Sequence, residues 1–197
     1  MRTWEKNVRT VVPYTPGEQP KFVDVIKLNT NENPNPPSPK VKECLEKMNT
    51  EAFRLYPEPA CDTLVDALAE TYHMDRDEIF VGVGSDDVLA MCFLTYFRIV
   101  KEDYYRENGG VVFPNPNAPT GILMELSEIE DIIRHNQDVV VIIDEAYVDF
   151  GGKSALELVH KYDNVLVVQT FSKSRSMAGM RIGYAFGSKV LIKYLND

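Results

Sequence analysis

VLVVQTFSKSRSMAGMRIGYAFG, residues 165–187, contains the clearest structural pattern in the chain. The apolar run at residues 165–168 is mostly β-branched and predicts a buried strand, and residues 182–186 predict a second strand. Small and polar side chains separate the two runs, and Lys173 lies among them. The pattern therefore predicts a strand, a loop that carries a lysine, and a second strand.

Lys173 stands in an unusual place, because burying an ammonium near the end of a buried strand is costly unless the site neutralises it or uses it. A lysine with a lowered pKa has a neutral amine that attacks carbonyl groups to form a Schiff base. The hydroxyls of Thr170 and Ser172, together with Arg181 eight positions (181 − 173) further on, are suitable ligands for a phosphate ester. Taken alone, so short a motif is more often a solvated lysine in a serine-rich loop.

The wider motif resembles a known family. T-x-S-K with arginine at the eighth position, inside G-x-R-I-G-Y, is similar to the cofactor-lysine segment of the fold-type I pyridoxal-phosphate-dependent aminotransferases. The flanking sequence is most similar to the histidinol-phosphate aminotransferase branch. The resemblance implies that Lys173 is the catalytic residue and bonds covalently to pyridoxal 5'-phosphate, whose phosphate Thr170, Ser172 and Arg181 hold.

The composition is that of an ordinary globular protein, with 44% hydrophobic and 26% charged residues among 197. A formal net charge of −9 argues against a nucleic-acid partner, since phosphate backbones bind to basic patches. Three cysteines without a C-x-x-C pair predict reduced thiols in a cytoplasmic protein. The first residues, MRTWEKNVRT, lack the apolar segment of a signal peptide, and no apolar run is long enough to span a membrane.

Residues 1–35 are predicted to form an N-terminal arm and a substrate-side loop, with a short strand at residues 23–28. The arm contains Tyr14 in the string P-Y-x-P-G, and the loop contains L-N-x-N-E-N-P at residues 28–34. The family resemblance implies that Tyr14, Asn31 and Glu32 contact the substrate. A tyrosine in a surface turn is an equally good interpretation of Tyr14.

Ser38 and Pro39 predict the start of a helix that continues to about residue 48. The proline-rich string FRLYPEP at residues 53–59 follows, and Asp62 is expected to cap the next helix. In the family, a tyrosine in the matching Y-P motif reaches the cofactor phosphate of the neighbouring subunit. The resemblance therefore implies a homodimer in which Tyr56 crosses the interface.

Residues 79–83 predict a buried strand, which G-S-D-D connects to a helix over residues 88–97. The free N–H groups of a helix N-terminus bind anions, and the resemblance assigns Ser85 and Asp86 to the cofactor phosphate. A nicotinamide dinucleotide site is a weaker alternative, because Asp87 stands where the third glycine of the fingerprint is needed.

Residues 114–121, PNPNAPTG, predict a tight turn after a strand at residues 111–113. They resemble the family's N-P-T-G loop, in which an asparagine bonds to the cofactor's phenolic oxygen. Ala118 stands in register with that asparagine, so Asn117 is the candidate substitute. Before this loop, the chain is short of a strand, a helix and a ring-stacking aromatic residue of the family, which predicts a missing segment near residues 97–98.

Residues 139–143 predict a fully apolar strand that ends at Asp144, with Tyr147 three positions beyond. An aspartate there can pair with a protonated pyridine nitrogen, and Tyr147 would reach the phenolic oxygen. A Walker-type nucleotide site is excluded, because Tyr147 stands where its loop needs glycine and the order of the motifs is reversed. The three histidines show no spacing typical of a metal site.

Strands and helices alternate from residue 79 to residue 186, which predicts an α/β fold with a mainly parallel sheet and ligand loops at the carboxyl ends of its strands. The resemblance implies the three-layer large domain of a fold-type I enzyme over residues 36–197, without the C-terminal small domain that binds the substrate carboxylate. We expect an incomplete chain that is inactive at this length.

The implied reaction is pyridoxal-phosphate-dependent amino transfer between L-histidinol phosphate and 2-oxoglutarate in histidine biosynthesis. Two alternatives remain open. One is another fold-type I enzyme, an aromatic aminotransferase or a threonine-phosphate decarboxylase. The other is a non-catalytic remnant that dimerises or binds a partner.

Overall fold

The computed structural model describes residues 26–97 and 109–197. The chain divides into two compact units, Met1–Glu32 and Asn33–Asp197. In the described part of the first unit, Lys27 donates to the Thr30 hydroxyl at 2.8 Å and pairs with Glu32 at 2.7 Å. Residues 26–28 are not in a strand, so the strand predicted at residues 23–28 is wrong for the part that is described. Local bonds from Lys27 hold this segment in a turn instead.

The second unit contains five strands among its described residues. They are β1 (Ile79–Gly82), β2 (Val111–Pro114), β3 (Val141–Asp144), β4 (Val165–Thr170) and β5 (Gly183–Gly187). The α-helices described are α1 (Pro39–Glu46), α2 (Asp62–Tyr72), α3 (Ser85–Tyr96), α4 (Leu126–His135), α5 (Leu156–Val159) and α6 (Lys189–Asn196). Single 3₁₀ turns occur at Thr50–Arg54, Arg76–Glu78, Val148–Phe150 and Ala178–Met180.

The strands form one sheet in the order β1-β5-β4-β3-β2. β2, β3 and β4 pair in parallel, whereas β5 runs antiparallel to both of its neighbours, β4 and β1. Four of the five described strands therefore point the same way. The predicted α/β fold with a mainly parallel sheet is confirmed, and β5 is its reversed strand.

The register places four loops at one edge of the sheet, the edge that is formed by the carboxyl ends of β1, β2, β3 and β4. Asp144, the last residue of β3, lies opposite Pro114 of β2 and Val168 of β4. Gly183, the first residue of β5, lies opposite both Gly82 of β1 and Thr170 of β4. The segments that follow β1, β2, β3 and β4 all leave the sheet at this edge, where ligands bind in open α/β folds.

Helices cover both faces of the sheet, because successive strand residues point to opposite sides. Ile143, Val167 and Phe186 pack on one face with α2, α4 and α5, and Ile142, Leu166 and Ala185 pack on the other with α3 and α6. Each of these six strand residues is fully buried. The result is the three-layer arrangement predicted for the large domain.

Three helix starts differ from the sequence prediction, and the first is that of α3, which begins at Ser85 rather than at residue 88. The string S-E-I-E at residues 127–130 predicts a capping box that starts at Ser127, but α4 begins at Leu126 and its capping box uses Glu125 and Glu128. Glu128 Oε2 accepts from the Glu125 backbone N–H at 2.9 Å, and Leu126 joins the helix because it packs against the core. Asp62 is the first residue of α2 rather than its cap, a position that Cys61 takes in a left-handed conformation.

Candidate active site

Lys173 lies in a tightly bonded turn between β4 and β5. The Ser176 N–H donates to the Lys173 carbonyl at 3.1 Å, and the Met177 N–H donates to the Phe171 carbonyl at 3.0 Å. At the base of the loop, the Phe171 N–H donates to the Ile182 carbonyl at 3.0 Å. These bonds fix the backbone of the lysine at the carboxyl end of β4, as the motif predicts.

Asn33 also holds this turn, although it was not among the predicted site residues. Its Nδ2 donates to the Lys173 carbonyl at 3.1 Å and to the Ser174 carbonyl at 3.4 Å. Its Oδ1 accepts from the Asn35 backbone N–H at 3.0 Å, which orients the amide. The signal was present in the sequence, since Asn33 precedes a proline in the L-N-x-N-E-N-P string.

Asp144 and Lys173 are within electrostatic range of each other. Burial raises the pKa of the Asp144 carboxyl, and the nearby charge of Asp86 raises it further. A bond from the Ala146 N–H at 3.0 Å and the positive charge of Lys173 act in the opposite direction. The carboxylate is thus poorly solvated, so a cationic partner would stabilise its ionised form.

Tyr147 stands beside the lysine amine. The Lys173 Nζ lies 5.3 Å from the centroid of the Tyr147 ring, within the range of a cation–π contact. The β3 and β4 loops thus bring together Asp144, Tyr147 and Lys173, three of the residues that the sequence singled out.

Arg181 lies beside the start of α3, at a second corner of the site. Arg181 Nη2 donates to the Asp86 carboxylate at 3.1 Å, and its Nη1 donates to the Ala178 carbonyl at 3.2 Å. A Cβ built on Gly183 would stand 2.2 Å from the Gly84 carbonyl carbon and 2.3 Å from the Ser85 nitrogen. Only glycine permits this approach, which sets the first N–H groups of α3 next to the arginine.

Thr170 and Ser172 are buried and bonded to each other. Their hydroxyl oxygens are 2.9 Å apart, and the Thr170 hydroxyl oxygen also accepts from the Ser172 backbone N–H at 3.1 Å. The Thr170 hydroxyl lies 3.1 Å from the Ile182 carbonyl. Both hydroxyls therefore lie at the base of the loop that carries Lys173. They are next to β5, the strand that begins shortly after Arg181.

The loop after β2 joins the same edge through Asn115. Its N–H donates to the Asp144 carbonyl at 2.8 Å, and its buried side chain bonds to the Met124 backbone in both directions. Asn117, the candidate for the phenolic oxygen, bonds within its own loop, with Nδ2 donating to the Thr120 hydroxyl at 2.9 Å. Asn115 was not predicted, because in the sequence it looks like an ordinary turn residue. Its side-chain bonds to the Met124 backbone are visible only in the structure.

Four further site residues were predicted from the sequence: Tyr56, Tyr14, Asn31 and Glu32. Tyr56 follows a 3₁₀ turn and is fully exposed, at 102%. Tyr14 lies outside the described residues. Asn31 and Glu32 belong to the first unit, where both are exposed.

The assembled side chains suit a small molecule with a carbonyl and a phosphate. An amine, a poorly solvated carboxylate and an aromatic ring face one region, while a guanidinium, two hydroxyls and helix N–H groups lie beside it. No helix in the described parts of the chain is long and apolar enough to cross a membrane. Within residues 26–97 and 109–197, no group of three or more histidine, cysteine or acidic side chains is placed to hold a metal ion.

One curated relative covers nearly the whole chain. The histidinol-phosphate aminotransferase of Lactococcus lactis subsp. cremoris is 46% identical over 231 residues, which include 99% of this chain and 65% of the relative. The matched region exceeds the 197 residues of this chain by 34 (231 − 197), so the relative carries at least 34 additional residues within it. The chain thus spans slightly less than two thirds of that relative.

Solved structures show the same fold. The histidinol-phosphate aminotransferase of Sinorhizobium meliloti, in complex with pyridoxal-5'-phosphate, has a TM-score of 0.74 at 19% identity, covering 85% of this chain and 57% of that one. The L-threonine-O-3-phosphate decarboxylase of Porphyromonas gingivalis has a TM-score of 0.67 at 22% identity, covering 79% and 60% of the two chains. Identities this low carry the fold alone.

The family model described as aminotransferase class I and II matches residues 97–197, and these 101 positions (197 − 97 + 1) are more than half of the chain. The match includes the segments with Asp144, Tyr147, Lys173 and Arg181. The chain belongs to the class I and II aminotransferase family.

Proposed function

We propose that the protein catalyses pyridoxal-phosphate-dependent amino transfer, with L-histidinol phosphate as the amino donor and 2-oxoglutarate as the acceptor. The observation that carries the proposal is the meeting of Lys173 with Asp144 and Tyr147, beside Arg181 at the start of α3. The 46% identity to a histidinol-phosphate aminotransferase supports the choice of substrates.

The residues present fit pyridoxal 5'-phosphate. Gly183 lies so close to the Gly84–Ser85 backbone that no Cβ is accommodated, which packs the start of β5 against the N-terminus of α3, a helix end whose first N–H groups would suit an anion. Arg181 supplies a fixed positive charge at that point, as a phosphate requires. When bound, the cofactor supplies an electron sink that makes the substrate Cα–H acidic.

Lys173 has two roles in this proposal. Its amine would hold the cofactor aldehyde covalently. The same amine, when free, would hold and move the proton at the substrate Cα, as a general base and acid. The bonded turn that carries Lys173 serves both roles, because proton transfer needs the amine within hydrogen-bond reach of that carbon.

Asp144 and Tyr147 orient the ring. The Asp144 carboxylate would pair with the ring nitrogen and keep it protonated, since a cationic partner offsets the cost of burying the carboxylate. The Tyr147 hydroxyl and the Asn117 amide would bond to the phenolic oxygen. For Asn117 this means exchanging its bond to Thr120 for one to the cofactor.

The phosphate would be held by the hydroxyls of Thr170 and Ser172, the Arg181 guanidinium, and Ser85 and Asp86 at the start of α3. Asp86 would contribute its backbone N–H, since its carboxylate is an anion that already pairs with Arg181. This assignment follows the rule that backbone N–H groups and arginine bind phosphate, whereas carboxylates repel it.

Tyr14, Asn31 and Glu32 are proposed to contact the substrate from an arm that comprises residues 1–35, with residues 36–197 as the cofactor-binding large domain. The protein is proposed to act as a cytoplasmic homodimer, with Tyr56 reaching the phosphate in the neighbouring subunit. The exposure of Tyr56, together with that of Phe53 and Leu55, supports a role at an interface.

Two other functions stay open as candidates. A decarboxylase of phosphorylated threonine and an aromatic aminotransferase would both use the same cofactor residues on the same fold. A non-catalytic remnant that dimerises or binds a partner is favoured by the additional residues, at least 34, that the Lactococcus relative carries within the matched region.

The first experiment is an intact mass of the purified protein before and after borohydride reduction with pyridoxal phosphate, followed by peptide mapping. A single adduct on Lys173, absent in Lys173→Ala and kept in Lys161→Ala, is the expected result. An adduct that persists in Lys173→Ala contradicts the lysine assignment. Product analysis with L-histidinol phosphate and with phosphothreonine then separates amino transfer from decarboxylation, and a chain that takes no adduct is the remnant.

A further inference from the structure

Arg175 anchors the outer side of the lysine turn to two other elements. Its Nη1 donates to the Asp149 carboxylate at 3.1 Å, on the 3₁₀ turn that follows Tyr147. Its Nη2 donates to the Tyr72 hydroxyl at the end of α2. The guanidinium carbon lies 5.0 Å from the centroid of the Phe171 ring, so the side chain is also held by stacking.

A chain of hydrogen bonds leads from this arginine into the protein. The Tyr184 hydroxyl donates to Gln169 Oε1 at 3.1 Å, so its single proton is used there. The Tyr72 hydroxyl must then donate to Tyr184, 2.8 Å away, and accept from Arg175. Gln169 Nε2 in turn donates to the Glu145 carboxylate at 2.9 Å.

Because each tyrosine hydroxyl has only one proton to donate, every hydrogen bond in this chain has one direction. The chain runs from the Arg175 cation to the Glu145 carboxylate. Burial and the bond with Tyr72 raise the pKa of the Tyr184 hydroxyl, so it keeps its proton. Glu145 is almost fully buried, at 1% exposure, and also accepts from the Ser154 hydroxyl and the Ala155 N–H, both at 2.6 Å. Each member of the chain is satisfied, which is the condition under which a buried polar network specifies one geometry.

The chain closes into a ring through the backbone that carries the site. Glu145 follows Asp144 directly, and its carbonyl accepts from the Val148 N–H at 3.1 Å. Asp149 comes next and accepts from Arg175 and from the Ser174 hydroxyl. The ring thus joins the two residues that follow Lys173 to the segment with Asp144 and Tyr147.

We propose that Arg175 is a positioning residue, which sets the turn of Lys173 so that the amine faces Asp144 and Tyr147. The proposal rests on the proposed function of Lys173. An arginine is required because its planar fork reaches Asp149 and Tyr72 at once, whereas an ammonium is a point charge. As an ion pair alone, Arg175 with Asp149 would contribute little, since both side chains are about one third exposed or more, at 32% and 43%.

The test compares Arg175→Met and Arg175→Lys in the full chain, with Arg134→Met as the control because Arg134 is exposed at the end of α4. Borohydride trapping of pyridoxal phosphate on Lys173 is followed over time, beside the thermal unfolding midpoint. We expect trapping to slow at least about tenfold in Arg175→Met, with an unfolding midpoint near that of the parent protein. Arg175→Lys should not restore trapping, and the control should match the parent.

A second readout needs no cofactor. Hydrogen exchange at the Ser176 and Met177 amides, whose bonds close the turn, should speed up in Arg175→Met and not in Arg134→Met. Unchanged exchange with unchanged trapping, or full rescue by Arg175→Lys, overturns the proposal. If the parent protein is never trapped on Lys173 but exchange responds as expected, the proposed function fails and the positioning role of Arg175 stands.

Discussion

The guanidinium of Arg181 lies directly against the backbone of Gly84. A Cβ built on Gly84 would stand 2.4 Å from Arg181 Nη2, and the φ of Gly84 is 90°, a conformation that side chains disfavour. Two independent reasons therefore require glycine at the turn between β1 and α3. The turn and the arginine form one unit, although 97 positions (181 − 84) separate them in the sequence.

Gly84→Ala should weaken both stability and anion binding. The backbone strain alone costs about 1–3 kcal/mol, and the new methyl group displaces the Arg181 guanidinium from its place over the helix start. We expect the affinity for pyridoxal phosphate, measured by fluorescence titration, to fall at least about tenfold. Gly179→Ala is the matched control, because a Cβ there meets nothing within 4 Å. Equal affinities in the two variants would contradict the coupling of Gly84 to Arg181.

Asp144→Asn should have opposite effects on stability and cofactor binding. Burial raises the pKa of Asp144, so between its ordinary and folded pKa the folded chain holds a proton that the unfolded chain has released. Its contribution to stability therefore falls as the pH rises through that window. The asparagine variant lacks this loss, so without cofactor it should be at least as stable at neutral pH. It should bind pyridoxal phosphate more weakly, because no carboxylate pairs with the ring nitrogen.

Urea unfolding from about pH 4 to about pH 8 checks the first part of this prediction. The pH slope of the variant should be shallower than that of the parent without vanishing, because burial also raises the pKa of Glu145. Glu130→Gln, a change at a more exposed carboxylate, serves as the control. Identical pH slopes for parent and Asp144→Asn would mean that the carboxylate is not desolvated as the structure indicates.

The strands and the positions of their ends could be predicted from the sequence, because they depend on local patterns. The apolar runs predicted β3 and β4, and the polar residues after them predicted Asp144 and Lys173 at one edge. The reversed direction of β5 was not predicted, although a signal existed. Only 12 residues (182 − 170) separate β4 from β5, and they contain no helix that would let the chain cross back in parallel.

The ring of bonds around Arg175 could not be found in this way. Arg175 and Tyr72 are 103 positions apart and Tyr72 and Tyr184 are 112 apart, so their contact depends on how α2 packs on the sheet. In the sequence, Arg175 is one more polar residue in a serine-rich loop. Long-range polar contacts of this kind have no periodicity, which is the signal that local prediction uses.

Cys92 should resist thiol reagents that modify the other two cysteines. It is fully buried on α3, and burial raises the pKa of its thiol to about 12, whereas Cys44 and Cys61 are exposed. Titration of the folded protein with an aromatic disulfide reagent should show two fast thiols, with the third appearing only in denaturant. Cys92→Ala should leave the fast count at two. A third fast thiol in the folded parent would contradict the packing of α3 on the sheet.

Ser188→Ala should lower the free energy of unfolding by about 1 kcal/mol, the usual cost of losing a helix cap. The Ser188 hydroxyl accepts from the Leu191 N–H at the start of α6 and donates to the Asp163 carbonyl at 2.9 Å, so one side chain joins the helix to the loop before β4. Ser38→Ala is a control of the same chemistry. Ser38 also stands at a helix cap, before α1, but its side chain makes no capping bond.

Urea titrations of both variants give their free energies of unfolding and test this prediction. Only Ser188→Ala should shift the midpoint, and its m-value should stay that of the parent because no additional surface is exposed. Equal losses in the two variants would mean that serine acts at these positions through intrinsic helix preference, and the bonds from Ser188 to Leu191 and Asp163 would then contribute nothing measurable. A larger loss in Ser188→Ala alone ties α6, and the face of the sheet that it covers, to the hydroxyl of Ser188.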